Sequence, residues 1–480
     1  MNETTNFTEA SGTRHSRWTF LSNATGQLCS TLVGAVQGFT LFYYEVVVGL
    51  DATIIAIAMA IFLVYNAVND PIFGFLIDRN LRFTRKWGRR FPWIVVGIVP
   101  WVLSVYLLFS VPHTIDGSTN PGAAFGWLIL SLVLLDTFGT LMGINFKAIQ
   151  IEKFRTEYER RRFTKHYVPL DILAIVLGML LPPLFTDMIP GDLRTSYSIM
   201  AAILAVIALI FGILSFHGNR EDKIMIDRYY SPESVKRMNF IKAFIEAIKS
   251  RTFVVYFIFA TCLGIQITLV VSNMLYLTTF VLRVGGLAFF AILGLYLIGT
   301  LISIPIWLRY IRKINNNRKA LVVAGLVTCA ALFPLTFFVG LYDLMFWAFI
   351  FGFAYGGLNS YVYTIISPSV TEDVMVKMGK NQKGVIFGVS ALLARLVASI
   401  DEFIIAFIHD ITGFVAGPNM TYEKMALLTD MNLVGLGIRL LQGVIPGVVL
   451  LIGVLVFWKF FPITQERLLS NKAKMLELGF

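Results

Sequence analysis

Residues 65–93 read YNAVNDPIFGFLIDRNLRFTRKWGRRFPW, and the fold is decided by how this stretch changes along its length. It starts inside a long apolar run, carries a carboxylate at Asp70 beside Pro71, and leaves through Arg79, Arg82, Arg85, Lys86, Arg89 and Arg90. An ionised aspartate deep in hydrocarbon costs about 2.5–3.5 kcal/mol on insertion scales, so its presence there points to function. The alternative is a carboxylate that only bridges neighbouring helices. Asn66 lies one turn before Asp70, so both polar groups share a helix face.

Composition extends the same reading to the whole chain. Of 480 residues, 57% are hydrophobic and 14% charged, where a soluble domain carries about 25% charged residues. This is the balance of an all-α membrane protein that crosses the bilayer many times. About 20 helical residues cross the hydrocarbon, and runs of that order lie near 26–49, 52–77, 93–112, 122–147, 167–187 and 196–216. Six more lie near 253–282, 287–308, 320–341, 344–366, 384–408 and 433–461. The expectation is twelve transmembrane helices in two six-helix bundles, 24–216 and 252–462. Residues 1–23, 217–251 and 463–480 are then an N-terminal segment, a linker and a tail.

The net charge of +11 does not call for nucleic acid, because the basic residues concentrate in short loops between apolar runs, as orientation signals. The loops 78–92, 151–165 and 309–319 fall on one side if every run crosses. By the positive-inside rule that side is cytoplasmic, with both termini, and the expected setting is a cell membrane. Among the asparagine sequons only Asn419 then faces out. No cleavable leader is expected, the first hydrophobic segment being its own insertion signal. The linker contains SPESVKRMNFIKAFIEAIKS, whose Val235, Met238, Ile241, Phe244, Ile245 and Ile248 recur at helical spacing, an amphipathic interfacial helix. A polar midplane between two similar halves is the architecture of secondary transporters.

Polar residues inside the apolar runs nominate the site. Asp136, Thr140, Gly143 and Lys147 fall at helical intervals on one stripe of the fourth run, with Lys147 expected at its edge. The eleventh run, GVSALLARLVASIDEFIIAF, carries Arg395, Asp401 and Glu402, and Arg395 shares a face with Glu402 seven residues on. Tyr355 and Asn359, with Glu45, Asp171, Gln266, Asn273 and Tyr363, add polar positions elsewhere. An Arg395–Asp70 pair is the expected electrostatic link, with an Arg395–Glu402 pair as the alternative.

Enzyme chemistry has little purchase here. The five histidines sit at loops or membrane edges with no His-x-x-x-His or carboxylate–histidine cluster expected to hold a metal, no Walker loop is present, and Cys29, Cys262 and Cys329 lie in three different runs. The chain is expected to need no cofactor and to work as a monomer on a small-molecule substrate in the lipid bilayer.

NAVNDPIFGFLIDR followed by RKWGRRFPW, the preceding FYYEVVVGL and the stretch 383–413 resemble the glycoside–pentoside–hexuronide cation symporters, the melibiose-permease branch of the major facilitator superfamily. The resemblance implies alternating-access symport of a sugar with a proton or sodium, and places Asp70, Asn66 and Arg395 at the coupling site. In melibiose permease the matching second helix has two carboxylates one turn apart; here the first is Asn66. Ser30 and Gly143 stand where that permease has acids in helices one and four. Lysolipid symporters resemble the same family, so an amphiphile is the alternative cargo, and a transport-incompetent sensor or scaffold would also account for the missing acids. With a single carboxylate left, the expectation is coupling to protons, or facilitated diffusion, with weak dependence on sodium.

Overall fold

The computed structural model describes residues 15–77, 84–154, 157–189, 192–223, 225–226, 248–314, 316–378, 400–463 and 465–477. Among them all regular structure is helical. Ten helices are long and apolar enough to span a membrane, and the pair Arg17–Gln37 and Thr40–Val48, bent by 43°, makes an eleventh, the first in chain order. The expected eleventh run lies largely at 379–399, outside the described residues, and resumes as helix at 400–412. The expected amphipathic linker helix is outside them as well, over 227–247.

Span ends follow local chemistry more closely than hydropathy. Ser16, Asn120, Asp192, Asn316 and Asp430 each precede a helix and accept a hydrogen bond from an N–H of its first turn. The first helix therefore starts at Arg17, well before the apolar run at 26. On the side of the basic loops the fourth span runs on to Lys153, because backbone hydrogen bonding continues where the apolar side chains stop.

The second span shows how a bundle in lipid sorts its faces. Ile57, Ile61, Val64, Val68 and Ile72 form an exposed stripe, while Asn66 and Asn69 are buried on the other side. Lipid cannot satisfy an amide, so polar groups turn inward. Helix pairing repeats with a shift of six. The second span packs on the fourth and the first on the sixth, and likewise the eighth packs on the tenth and the seventh on the twelfth. The eighth–tenth contact is closest: a methyl group at Gly352 would strike the carbonyl oxygen of Tyr296.

The first and seventh spans end alike. Each closes with a π-helical segment, Tyr43–Val48 and Leu277–Leu282, followed by one left-handed residue, Gly49 at φ 86° and Arg283 at φ 54°. In each the next amide reaches back six residues, Leu50 N to Tyr44 O and Val284 N to Thr278 O. The same local device at matching positions makes the internal repeat visible in the backbone.

These ends build a seal opposite the basic loops. The last carbonyls of a helix lack partners within it, and in the first span they are taken by other elements. Glu45 O accepts from Gly417 N, Val46 O from Met420 N and Val47 O from Asn419 N, while Val48 O accepts from Gly117 N and from Arg194. Thus the loop before the twelfth span caps a helix of the other half. Gly49 is pressed against Pro418, and Ala52, Ala56 and Ala406 close a small apolar contact beside it. Asn419, the sequon expected on the outer side, is a half-buried part of this seal.

Candidate functional site

Asp136 is the centre of the polar site in the first half. Asn66 Nδ2 donates to its Oδ1 at 2.5 Å and Asn69 Nδ2 to its Oδ2 at 2.9 Å, both from the second span. Tyr65 extends the group, with its hydroxyl 2.5 Å from Thr137 Oγ1 and 3.4 Å from Asn69 Oδ1. The Asn66 amide is thus turned toward a carboxylate supplied by the fourth span. Asn66 Oδ1 is buried with no partner among the described residues, a carbonyl oxygen available to a ligand. Amide orientation is assigned by this network, in which only the Nδ2 can donate to Asp136.

Along the same stripe Thr140 is buried and Lys147 is exposed, as a residue at the membrane edge should be. Nothing lies within 4 Å of a methyl group placed at Gly143, so this glycine leaves space and is not a helix-packing contact. Ser30 is half-buried on the first span. Its neighbour Thr31 makes the polar link to the fifth span, donating to Asp171 Oδ1 at 2.5 Å, with Tyr167 3.4 Å from the other oxygen. Asp70 belongs to the second helix one turn past Asn66, but its side chain lies outside the described residues, as does all of Arg395. The Asp70–Arg395 pair and the place of Tyr363's side chain are outside the description for the same reason.

In the second half Asp401 is buried and accepts from the Thr268 hydroxyl of the seventh span. Its other oxygen, and Oε2 of Glu402, are enclosed without a partner among the described residues. Tyr355 donates to Asn359 at 3.3 Å and packs on Tyr296. Gln266 is buried with both amide atoms unpartnered among the described residues. Asn273 donates to Ile438 O and to Gln442. No group of three or more metal-binding side chains occurs among the described residues.

Two histidines meet carboxylates that the sequence did not pair with them, and neither contact makes a metal-binding group among the described residues. His409 Nδ1 lies 2.8 Å from Glu45 Oε1, and the Tyr276 hydroxyl donates to Glu45 Oε2 at 2.6 Å. On the basic-loop side, His15 places Nδ1 2.8 Å from Glu159 and Nε2 2.9 Å from Asp222. Hydrogen bonding to Asp222 raises the His15 pKa against the lowering effect of burial, with Glu159 adding to the rise. The Asp222 pKa is lowered, first by that same hydrogen bond. The partners come from 144 and 207 residues away, so no local spacing could signal them. Tyr65 and Asn69 were also missed; Asn69 sits three residues after Asn66, the one cue that was open to reading.

Comparison with known proteins agrees with this architecture. A family described as MFS/sugar transport protein matches residues 22–465. The glucuronide carrier protein homolog of Escherichia coli is 22% identical, the alignment covering 89% of this chain and 88% of that one. The sodium-dependent lysophosphatidylcholine symporter 1-A of Danio rerio is 21% identical over 96% and 88% of the two chains. Among solved structures, a bacterial homologue of the human lysosomal transporter Spinster, in an inward-facing and unoccupied conformation, superposes with a TM-score of 0.62 at 14% identity, covering 96% of this chain and 99% of that one. A bundle of apolar helices with an inward-turned polar site, matched over nearly its whole length, places this chain in the MFS/sugar transport family of the major facilitator superfamily.

Proposed function

We propose that the protein is a cation symporter for a sugar or glycoside, working by alternating access in a cell membrane with both termini in the cytoplasm. The observation that carries this reading is Asp136 held by Asn66 and Asn69 beside the open position at Gly143. A carboxylate, two amides and space for a ring are the groups that hydroxyl-rich ligands use, and a neutral lipid-facing helix has no need of them. The half-buried Asp136 and the buried Asp401 oxygen, unpartnered among the described residues, supply carboxylates that a coupling proton can occupy. Sodium asks for several oxygen ligands with concentrated negative charge, and Asn66 in place of a carboxylate weakens such a site.

Under this reading the bundle is closed outside and the basic side is cytoplasmic. A lysolipid or similar amphiphile is the second reading. It is favoured by an apolar crevice in the second half, lined by Ile267, Val270, Met274, Phe289, Leu293 and Phe351 among others, which would suit an alkyl chain. Uptake into proteoliposomes separates the readings. Labelled glycosides and lysophospholipids are offered under an inward proton gradient without sodium, and under a sodium gradient at fixed pH. Glycoside uptake driven by protons and lost in Asp136→Asn is the expected result; accumulation of lysophospholipid alone would favour the second reading, and no movement of either would favour a sensor.

A further inference from the structure

Among the described residues, Glu45 and His409 are the most deeply enclosed acid–base contact between the two halves. Their side chains are 1% and 2% exposed. The first span supplies Glu45 and the eleventh supplies His409. Tyr276, from the seventh, holds the other carboxylate oxygen. The His409 ring stacks on Phe414 at 4.3 Å between centroids and meets Tyr276 edge-on at 4.9 Å, while Phe42 covers Tyr276 from the first span. Water is kept from the contact by aromatic rings on several sides.

We propose that Glu45 and His409 form a proton-binding lock: the seal closes with one proton shared between them, and loss of that proton lets it open. This rests on the alternating-access reading and adds a proton site at the outer closure, distinct from the carboxylates of the substrate site. The proton balance is simple. With one proton the contact is either imidazolium and carboxylate, or imidazole and carboxylic acid, and both are neutral overall. Without it a lone carboxylate remains in an enclosure where Tyr276 and one neutral ring N–H are its only described donors, and a lone buried charge is the costly state. His409 Nε2 has no partner among the described residues, so no second acceptor pins an imidazolium in place. The shared proton therefore depends on the contact between the two side chains and is released when they separate.

The surrounding charges are consistent with this count. Glu402 lies two turns back on the same face of the eleventh helix, within electrostatic reach of Glu45. Arg194 from the sixth span is engaged by the carbonyls of Val48 and Pro112 at the outer rim. Asp192 is bound to Thr195 and Asn419, and Asp410 to Thr53. Tyr197 adds a neutral hydroxyl near Tyr276. None of these is hydrogen-bonded to His409 among the described contacts. Since Glu45 stands in one half and His409 and Tyr276 in the other, opening the seal breaks both of the carboxylate's bonds. Proton binding and closure are then linked by necessity.

The test needs no substrate, so its failure is distinct from failure of the proposed function. A single cysteine is placed at Ala406, 3% exposed in the seal, with the native cysteines replaced by serine. A membrane-impermeant maleimide is applied from outside, and its rate is divided by that at Leu427→Cys, an 88% exposed control that corrects for thiol ionisation. Between external pH of about 5.5 and about 8.5, which brackets the range where histidine exchanges its proton, the ratio is expected to rise about tenfold or more. Glu45→Gln and His409→Gln are each expected to flatten that rise while the protein still elutes as a folded species. A flat wild-type ratio overturns the proposal, as does a wild-type slope in Glu45→Gln. If His409→Gln does not fold, the wild type and Glu45→Gln still decide.

Discussion

Replacing Asn66 by aspartate would place a second carboxylate against Asp136. In the present structure Asn66 donates to Asp136 at 2.5 Å, and a hydrogen bond to a charged group contributes about 1.5–3 kcal/mol. Asn66→Asp turns that donor into an acceptor. Two carboxylates about 4 Å apart repel by about 4 kcal/mol at an effective dielectric constant of about 20. Uptake of a proton by one of them relieves the repulsion, but at neutral pH that costs about three pH units at about 1.4 kcal/mol each, which is the same figure. Asp136 is half-buried, so solvent screening reduces the net loss to about 2–3 kcal/mol. The decisive partner is the swap, Asn66→Asp with Asp136→Asn. The amide at position 136 can then donate to the carboxylate at position 66, and most of the loss should return. Thermal unfolding of the purified wild type, both single variants and the swap gives the coupling energy, expected at about 1.5–3 kcal/mol. Sodium should raise the midpoint of Asn66→Asp and leave the wild type nearly unmoved, because a ligand stabilises only the state that binds it. Strictly additive losses in the swap would refute the reasoning, since the two side chains would then not meet.

Three further outcomes are expected. The His15 pKa is raised in the folded protein, so the stability it contributes is complete below its ordinary value of about 6.5 and is lost as pH rises through the folded value; a scan of melting temperature above about pH 6.5 should fall in the wild type and be flatter in His15→Gln. Gly352→Ala should cost about 1–3 kcal/mol by overpacking against the Tyr296 carbonyl, whereas Gly143→Ala, with open space around it, should leave the melting temperature unchanged and weaken uptake of the larger glycosides first. Cysteines placed at the exposed Lys86 and Leu427 should react with an impermeant reagent from opposite sides of the membrane, and labelling of both from outside would reverse or break the proposed orientation.

Much of this architecture is legible in hydropathy, for a physical reason. The second span was expected at 52–77 and is Ala52–Ile77, because the bilayer demands an unbroken apolar run and gives no reward to its ends. The fourth span was drawn too short because its last turn carries polar side chains packed against protein, with Lys153 donating to the carbonyls of Gly218 and Arg220, where helical hydrogen bonds persist and hydropathy is silent. At the site, the stripe from Asp136 to Gly143 could be read from one helix, since helical periodicity is a local property. The pairing of Asp136 with Asn66 joins residues 70 apart, and that of Glu45 with His409 joins residues 364 apart. Such contacts are set by the packing of whole helices, so Glu45 could be picked out as polar while its partner could not.

The loop that caps the first span has a consequence for how this protein can change over time. Gly417, Asn419 and Met420 hold Glu45, Val46 and Val47 through main-chain atoms, and every amino acid other than proline brings the same amide. Apart from Asn419, held by its left-handed backbone and its bond to Asp192, and Gly417, crowded by Met420, side chains along that loop are therefore free to drift while the closure they frame stays in place. The same freedom does not extend to Gly49, whose left-handed turn lies against Pro418, nor to Glu45, whose carboxylate reads two side chains. Distant relatives would then share the shape of the outer closure with little shared lettering, and differ in chemistry at the few positions where a side chain, and not the backbone, makes the bond.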